Sequence, residues 1–202
     1  MKATPVILPT VLQERLGGGV PLQFMAVGNT ALLDAPLLGL FASRQCPGQI
    51  LLDTLELAAQ WARSQQVVLS GFHSPLEQQV LRSMLRRRGR AIKLLAHALD
   101  DYRVPPEEQA PLAAGRLLVL SACAPSVMRT TRASALGRNR LVLALAAEHC
   151  VPYLSLDSPL RALVGECADL NSAERMVSAA PGLTSGHSVA PIDEPEKRRS
   201  SR

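Results

Sequence analysis

The chain has 202 residues, 47% of them hydrophobic and 19% charged, a length and composition that fit one domain with a proper core. No apolar run reaches the ~20 residues needed to cross a bilayer. Pro5 and Pro9 interrupt the N-terminal Val6-Ile-Leu8, so a signal peptide is not expected and the expected location is the cytoplasm. Net charge is +5, and the four cysteines (Cys46, Cys123, Cys150, Cys167) have no C-x-x-C or cysteine–histidine spacing, which gives no support to a structural metal and reads as isolated reduced thiols.

In chain order, Pro5 to Leu16 reads as a short helix closed by Gly17-Gly-Gly19, and Leu22 to Val27 as a strand that Gly28-Asn29 turns into Thr30-Ala-Leu-Leu33. Leu37 to Phe41 is the next strand. Cys46-Pro-Gly48 breaks the chain before Ile50 to Arg63, where Leu51, Leu55, Ala58 and Trp61 recur at helical spacing. Val67-Val-Leu69 is a short β-branched run suited to a central parallel strand. Ser74-Pro-Leu-Glu77 is the sharpest local signal: a serine cap, proline at the first helical position and glutamate three residues after the cap predict a capping box and a helix to about Arg88, stopped by Gly89.

Ala91 to Leu95 is a further strand, and Pro105-Pro106 precedes a short helix ending at Gly115. Leu117 to Leu120 is another buried-strand run, followed by a polar loop from Ser121 to Arg132 and a helix from Ala133 to about Glu148. Val151 to Leu156 is the last strand, and Ser158-Pro159 opens a closing helix. Strands alternating with helices predict an α/β fold around a mostly parallel sheet, with ligands at the carboxyl ends of the strands. From Ser178 onward Pro, Gly, Ser and charge dominate, and a disordered tail is expected.

Charge is uneven. Between Arg82 and Arg140 lie twelve cations against four anions, although the whole chain carries only +5, so the remainder is net acidic. Such a concentration favours a polyanionic partner, with solvated helix faces as the plain alternative. No G-x-G-x-x-G, G-x-x-x-x-G-K-[ST], G-x-S-x-G or H-E-x-x-H is present, and the acidic residues form no pair spaced for acid/base work, so neither a cofactor nor catalysis is expected.

What the pattern offers instead is anion binding at strand ends. Ser43-Arg44 follows one strand and brings a hydroxyl and a guanidinium. Ser70-Gly71 ends another, with Gly71 permitting close approach of a ligand to the backbone. His73 lies beside the helix opening at Ser74, whose free N–H groups attract negative charge. Arg138-Asn139-Arg140, on the first half of a predicted helix, supplies a second cationic wall.

In order and spacing these pieces resemble the Rossmann-like domain of the DprA/Smf family of DNA-processing proteins. The residues concerned are Pro21 to Gly28-Asn29, Leu32-Leu33, Phe41-Ala-Ser-Arg44, Ser70-Gly71, Ala98-Leu-Asp-Asp-Tyr102 with Pro105, Leu120-Ser121 and Arg138-Asn139-Arg140, together spanning roughly residues 20 to 147. Ala42 stands where the family has the glycine of V-G-S-R, Phe72-His-Ser-Pro-Leu-Glu77 replaces its G-I-D and A-H, and the segment after the R-N-R helix reads as shortened. The resemblance implies helices on both faces of the sheet and a minimal stand-alone version of the domain over residues 20–177, with residues 1–19 as an extension and 178–202 as a tail.

Functionally, the resemblance implies single-stranded DNA bound in a basic pocket, a homodimer, and loading of a RecA-type recombinase during DNA uptake, natural transformation or recombination. It implies no catalysis and no membrane partner. Ser43, Arg44, Ser70, Gly71, Arg138 and Asn139 carry the site over most directly, with His73 and Arg140 beside them. Two alternatives stay open. One is a nucleotide-binding sensor or hydrolase of the wider Rossmann-like group, although no P-G-G-x-G-T-x-x-E is present. The other is a ligand-free interaction subunit that uses the open edge of a truncated sheet. Single-strand binders offer aromatic platforms, and Phe72 and Tyr102 are the two rings whose loop positions could expose them, with core or rim packing as the favoured reading for both.

Overall fold

In the computed structural model, residues 2–17, 23–100, 102–155, 157–167 and 176–177 are described. The described strands are β1 (Thr4–Val6), β2 (Phe24–Gly28), β3 (Leu37–Ala42), β4 (Val67–Ser70), β5 (Arg90–Leu95), β6 (Leu117–Ser121), β7 (Glu148–Tyr153) and β8 (Met176–Val177). They form one sheet in the order β1-β2-β6-β5-β4-β3-β7-β8. Pairings from β6 through β8 are parallel, while β2 runs antiparallel to both β6 and β1.

The parallel strands are apolar runs because both faces are covered. Every residue of β3, β4 and β6 is buried. Helices α2 (Gly48–Ser64), α3 (Pro75–Arg86) and α4 (Pro106–Ala113) cover one face, where Ala58, Ala62, Val80 and Met84 pack on Leu38, Leu40, Val68 and Val119. The other face carries α1 (Thr10–Arg15), the 3₁₀ turn Thr30–Asp34, α5 (Arg132–Leu145) and α6 (Pro159–Cys167), with Leu12, Leu33, Val142 and Leu163 packing on Leu69, Ile92, Leu94 and Leu118. Each such leucine or valine contributes roughly 1.5–3 kcal/mol by leaving water. The expected α/β, Rossmann-like sheet with helices on both faces is the fold observed.

Three expectations need correction. Residues 5–16 are not one helix: Pro5 sits in β1, an edge strand where its missing N–H costs no ladder bond, and α1 begins only after Pro9. That strand ties the N-terminal segment to the same sheet. Helix α5 ends at Leu145 rather than near Glu148, because the Ala147 N–H already donates to the Leu37 carbonyl at 2.8 Å and starts the pairing of β7 with β3.

Strand β7 therefore spans Glu148–Tyr153 instead of Val151–Leu156, with Leu156 outside the described residues. Its register shifts between Leu40 and Ala42, where Pro152 has no N–H to donate. On the outer side of β7, His149 and Cys150 pair with the two residues of β8. The expected disordered tail, residues 178–202, lies outside the described residues.

Candidate nucleic-acid interface

The chain runs outward from β3 through β4, β5 and β6, then returns across α5 to β7 on the other side of β3. The strand order reverses between β3 and β7, and a crevice opens at that switch point, outside the carboxyl ends of the strands. Here it is a cleft of about 1020 Å³. Its walls carry Arg44, Arg132, Arg138 and Arg140 together with His73, against two carboxylates, Glu77 and Asp157.

At the end of β3, Ser43 is buried and Arg44 is exposed. The Ser43 N–H donates to the Tyr153 carbonyl at 3.1 Å, and its Oγ accepts from the Ser155 N–H at 2.9 Å. Ser43 thus anchors the end of β7 to the end of β3 and fixes the floor of the cleft, while Arg44 reaches solvent.

At the end of β4, Ser70 is buried and turned inward, its Oγ accepting from the Phe72 N–H at 3.1 Å. That bond closes a tight turn in which Phe72 holds a φ of 47°, a strained value for a bulky residue. Neither Ser70 nor Gly71 lines the cleft. The space over Gly71 is taken by Arg138 rather than left for a ligand: a Cβ there would lie 2.5 Å from the guanidinium carbon. Glycine is needed at this position so that Arg138 can lie flat against the turn.

The expectation of free N–H groups at the start of α3 is also corrected. The Ser74–Glu77 capping box forms as predicted, with Ser74 Oγ accepting from the Glu77 N–H at 3.3 Å. Glu77 then does more than cap. Its Oε2 accepts from the N–H groups of His73 (2.8 Å) and Ser74 (3.2 Å), and its Oε1 from the Ala42 N–H at 3.0 Å. The anion at this helix terminus is therefore the protein's own buried carboxylate, which also joins α3 to β3 across 35 residues of sequence.

Burial pushes the Glu77 carboxyl above its ordinary value of 4.5, opposed by these three N–H donors and by the charge of Arg138. Arg138 feels the reciprocal field: burial lowers its pKa and Glu77 raises it, and a guanidinium stays charged regardless. Its Nε and Nη2 donate to Asn139 Oδ1 at 3.1 and 2.9 Å, so Asn139 orients the fork. Arg140, exposed, lies on the same wall.

Of the eight residues singled out in sequence, the cleft gathers Ser43, Arg44, His73, Arg138, Asn139 and Arg140, while Ser70 and Gly71 support it from behind. Sequence reasoning missed Arg132, at the start of α5, and Ser155 and Asp157, after β7, whose approach only the sheet order reveals. The second role of Glu77 had one sequence signal, the capping box.

Both aromatic candidates are packed, as the favoured reading had them. Phe72 is buried in the core, and Tyr102 is half-buried, donating to Glu108 Oε2 while Lys93 Nζ donates to its hydroxyl at 3.1 Å. Lys93 also pairs with Glu108 at 2.6 Å, which withdraws one cation from the basic segment. No Phe, Tyr or Trp lines the cleft among the described residues. The remaining family-like pair, Gly28-Asn29, is structural: Asn29 Oδ1 accepts from the Ala31 N–H at 3.1 Å and Nδ2 donates to the Gly115 carbonyl at 3.0 Å.

The family model for DNA recombination-mediator protein A matches residues 8–158, three quarters of the sequence. The chain belongs to this family. DNA processing protein A from Helicobacter pylori, solved for its unique single-stranded DNA binding mode, superposes with a TM-score of 0.63 at 25% identity over 78% of this chain and 74% of that one. DNA processing protein A from Streptococcus pneumoniae gives a TM-score of 0.67 at 19% identity, covering 87% of this chain and 62% of that chain. No curated protein matches the chain. Membership in the recombination-mediator family gives the arginine-lined crevice its context: of the family-like residues, Ser43-Arg44 after β3 and Arg138-Asn139-Arg140 on α5 line it. Among the described residues, no helix is long and apolar enough to cross a membrane.

Proposed function

We propose that this chain binds single-stranded DNA in the switch-point cleft, gripping phosphates with Arg44, Arg138 and Arg140, and serves DNA processing and recombination in the cytoplasm. The observation that carries the reading is the placement of Arg138 flat on Gly71, backed by buried Glu77 and oriented by Asn139. A guanidinium fixed this way is organised for a phosphate before the ligand arrives. Family membership and the single-stranded DNA binding described for the H. pylori protein support the same ligand.

The action is binding rather than catalysis. The cleft's two buried hydroxyls are committed, Ser43 to holding Ser155 and Ser74 to the Glu77 N–H, and Glu77 is committed to three backbone donors. With no aromatic platform among the described residues of the cleft, affinity rests on phosphates more than on base stacking. The same reading includes a homodimer and delivery of the strand to a RecA-type recombinase, both supported by the family resemblance.

The test is fluorescence anisotropy of a labelled single strand with Arg44→Ala combined with Arg138→Ala. Removing two charge-assisted hydrogen-bonding groups, each worth about 1.5–3 kcal/mol, predicts a fall in affinity of about 100-fold or more. Unchanged affinity in a folded double variant overturns the reading.

A further inference from the structure

A second cationic groove lies at the opposite end of α3. It has a volume of about 680 Å³ and is lined by Arg82, Arg86, Arg87 and Arg116, with Glu107 as its one carboxylate among the described residues. These arginines come from the last turns of α3, from the residue after it, and from the approach to β6. Arg87 donates to Ser83 Oγ at 2.9 Å and Arg116 to the Leu85 carbonyl at 3.2 Å, which fixes both guanidinium groups without neutralising them. None of the four forms an ion pair with a carboxylate among the described residues.

Helix α3 joins this groove to the cleft. Its amino-terminal approach, His73, lines the cleft, and its far end supplies Arg82 and Arg86. The exposed ridge between them runs through Gln78 to Arg82 and Arg86 at four-residue spacing and carries no acid, because the only glutamate of α3, Glu77, is buried. Twelve helical residues span ~18 Å. Along α3 itself, a polyanion leaving the cleft passes Gln78 and then Arg82 and Arg86 before the groove's other two arginines.

We infer that the α3–α4 groove is a second phosphate-binding site, which holds a flanking stretch of the same nucleic-acid strand that occupies the cleft. This rests on the reading of the cleft as a single-strand site. Its consequence is that a strand long enough to follow α3 binds more tightly, and with a steeper salt dependence, than one that fills the cleft alone.

The experiment compares labelled single strands of about 5 and about 30 nucleotides, one near the lower end of common single-strand site sizes of about 4–16 and one beyond the upper end, on three forms of the full chain. These are the natural sequence, Arg82→Glu with Arg86→Glu, and Arg44→Ala with Arg138→Ala. Arg82→Gln with Arg86→Gln and thermal melts followed by circular dichroism guard against misfolding. The groove variants are expected to bind the long strand about tenfold or more weakly, with a salt slope shallower by about 0.7 for each phosphate no longer neutralised. They are expected to bind the short strand within about twofold of the natural chain.

Unchanged affinity for the long strand, or equal weakening on both strands, overturns the second site. If the Arg44/Arg138 variant binds both strands normally while the groove variant fails on the long one, the cleft reading falls and the groove stands as the nucleic-acid site. If the natural chain binds neither strand, both fall.

Discussion

Arg138 is half-buried against a turn where Gly71 leaves room for its guanidinium, and a buried carboxylate stands behind it. Replacing Gly71 with alanine places a methyl group 2.5 Å from the guanidinium carbon. The atom that must yield is the far end of a flexible side chain, so Arg138 swings away and the backbone stays. Gly71→Ala is therefore expected to keep stability within about 1 kcal/mol. Single-strand affinity should fall about tenfold, the worth of one charge-assisted hydrogen bond to a phosphate. Denaturant unfolding together with anisotropy separates the two effects, and a collapse of stability contradicts the assignment.

Glu77 makes a pH prediction at the same scale. Its folded pKa lies above the unfolded value because burial outweighs its donors and Arg138. The folded chain thus holds this proton more tightly than the unfolded chain. Its contribution is present in full below the unfolded pKa and is lost as pH rises through the folded one. The stability gap between the natural chain and Glu77→Gln, from urea unfolding at several pH values, is expected to narrow as pH rises through that range; a widening gap contradicts the balance of causes.

Among elements, the link between β5 and α4 depends on a buried polar cluster. Lys93 on β5 meets Glu108 on α4, with the Tyr102 hydroxyl touching both, and Glu108 is only 3% exposed. Burial and the adjacent Glu108 push the Tyr102 phenol upward, so it stays protonated and donating. Lys93→Met leaves a buried carboxylate unpaired and is expected to cost about 3–5 kcal/mol, whereas Lys93→Met combined with Glu108→Leu recovers most of it. Equal destabilisation of the two variants in chemical unfolding contradicts a buried pair.

The elements themselves were largely legible in the sequence. Leu37–Phe41, Val67–Leu69 and Leu117–Leu120 read as strands because two-sided burial leaves continuous apolar runs, and the Ser74–Glu77 box is a local rule obeyed locally. Misreadings fell where tertiary pairing decides: β1 exists because β2 offers it an edge, and β7 starts early because β3 recruits Ala147. Ser70 and Gly71 carried the right signal with the wrong partner. No periodicity records that a guanidinium from Arg138, far along the chain, fills the space a ligand was expected to use.

For the whole molecule, charge and topology converge. The order reversal between β3 and β7 opens the crevice, and four arginines reach it from the β3 end and from α5. The crevice is selective in the side chains it withholds: Phe72 and Tyr102 are withdrawn from it, so the grip falls on phosphates. Of the twelve cations in the basic segment read from the sequence, three line the cleft, four line the groove and one, Lys93, is paired with Glu108.

The central claim is that this arginine-lined switch point holds a single DNA strand by its phosphates. It is tested most directly by anisotropy of a labelled single strand and its matching duplex, titrated with the full chain across a range of salt. The account predicts tighter binding to the single strand, with log affinity falling against log salt at a slope of about −2 to −3, roughly −0.7 for each of about three to four neutralised phosphates. Binding that ignores salt, or equal affinity for the duplex, would contradict it.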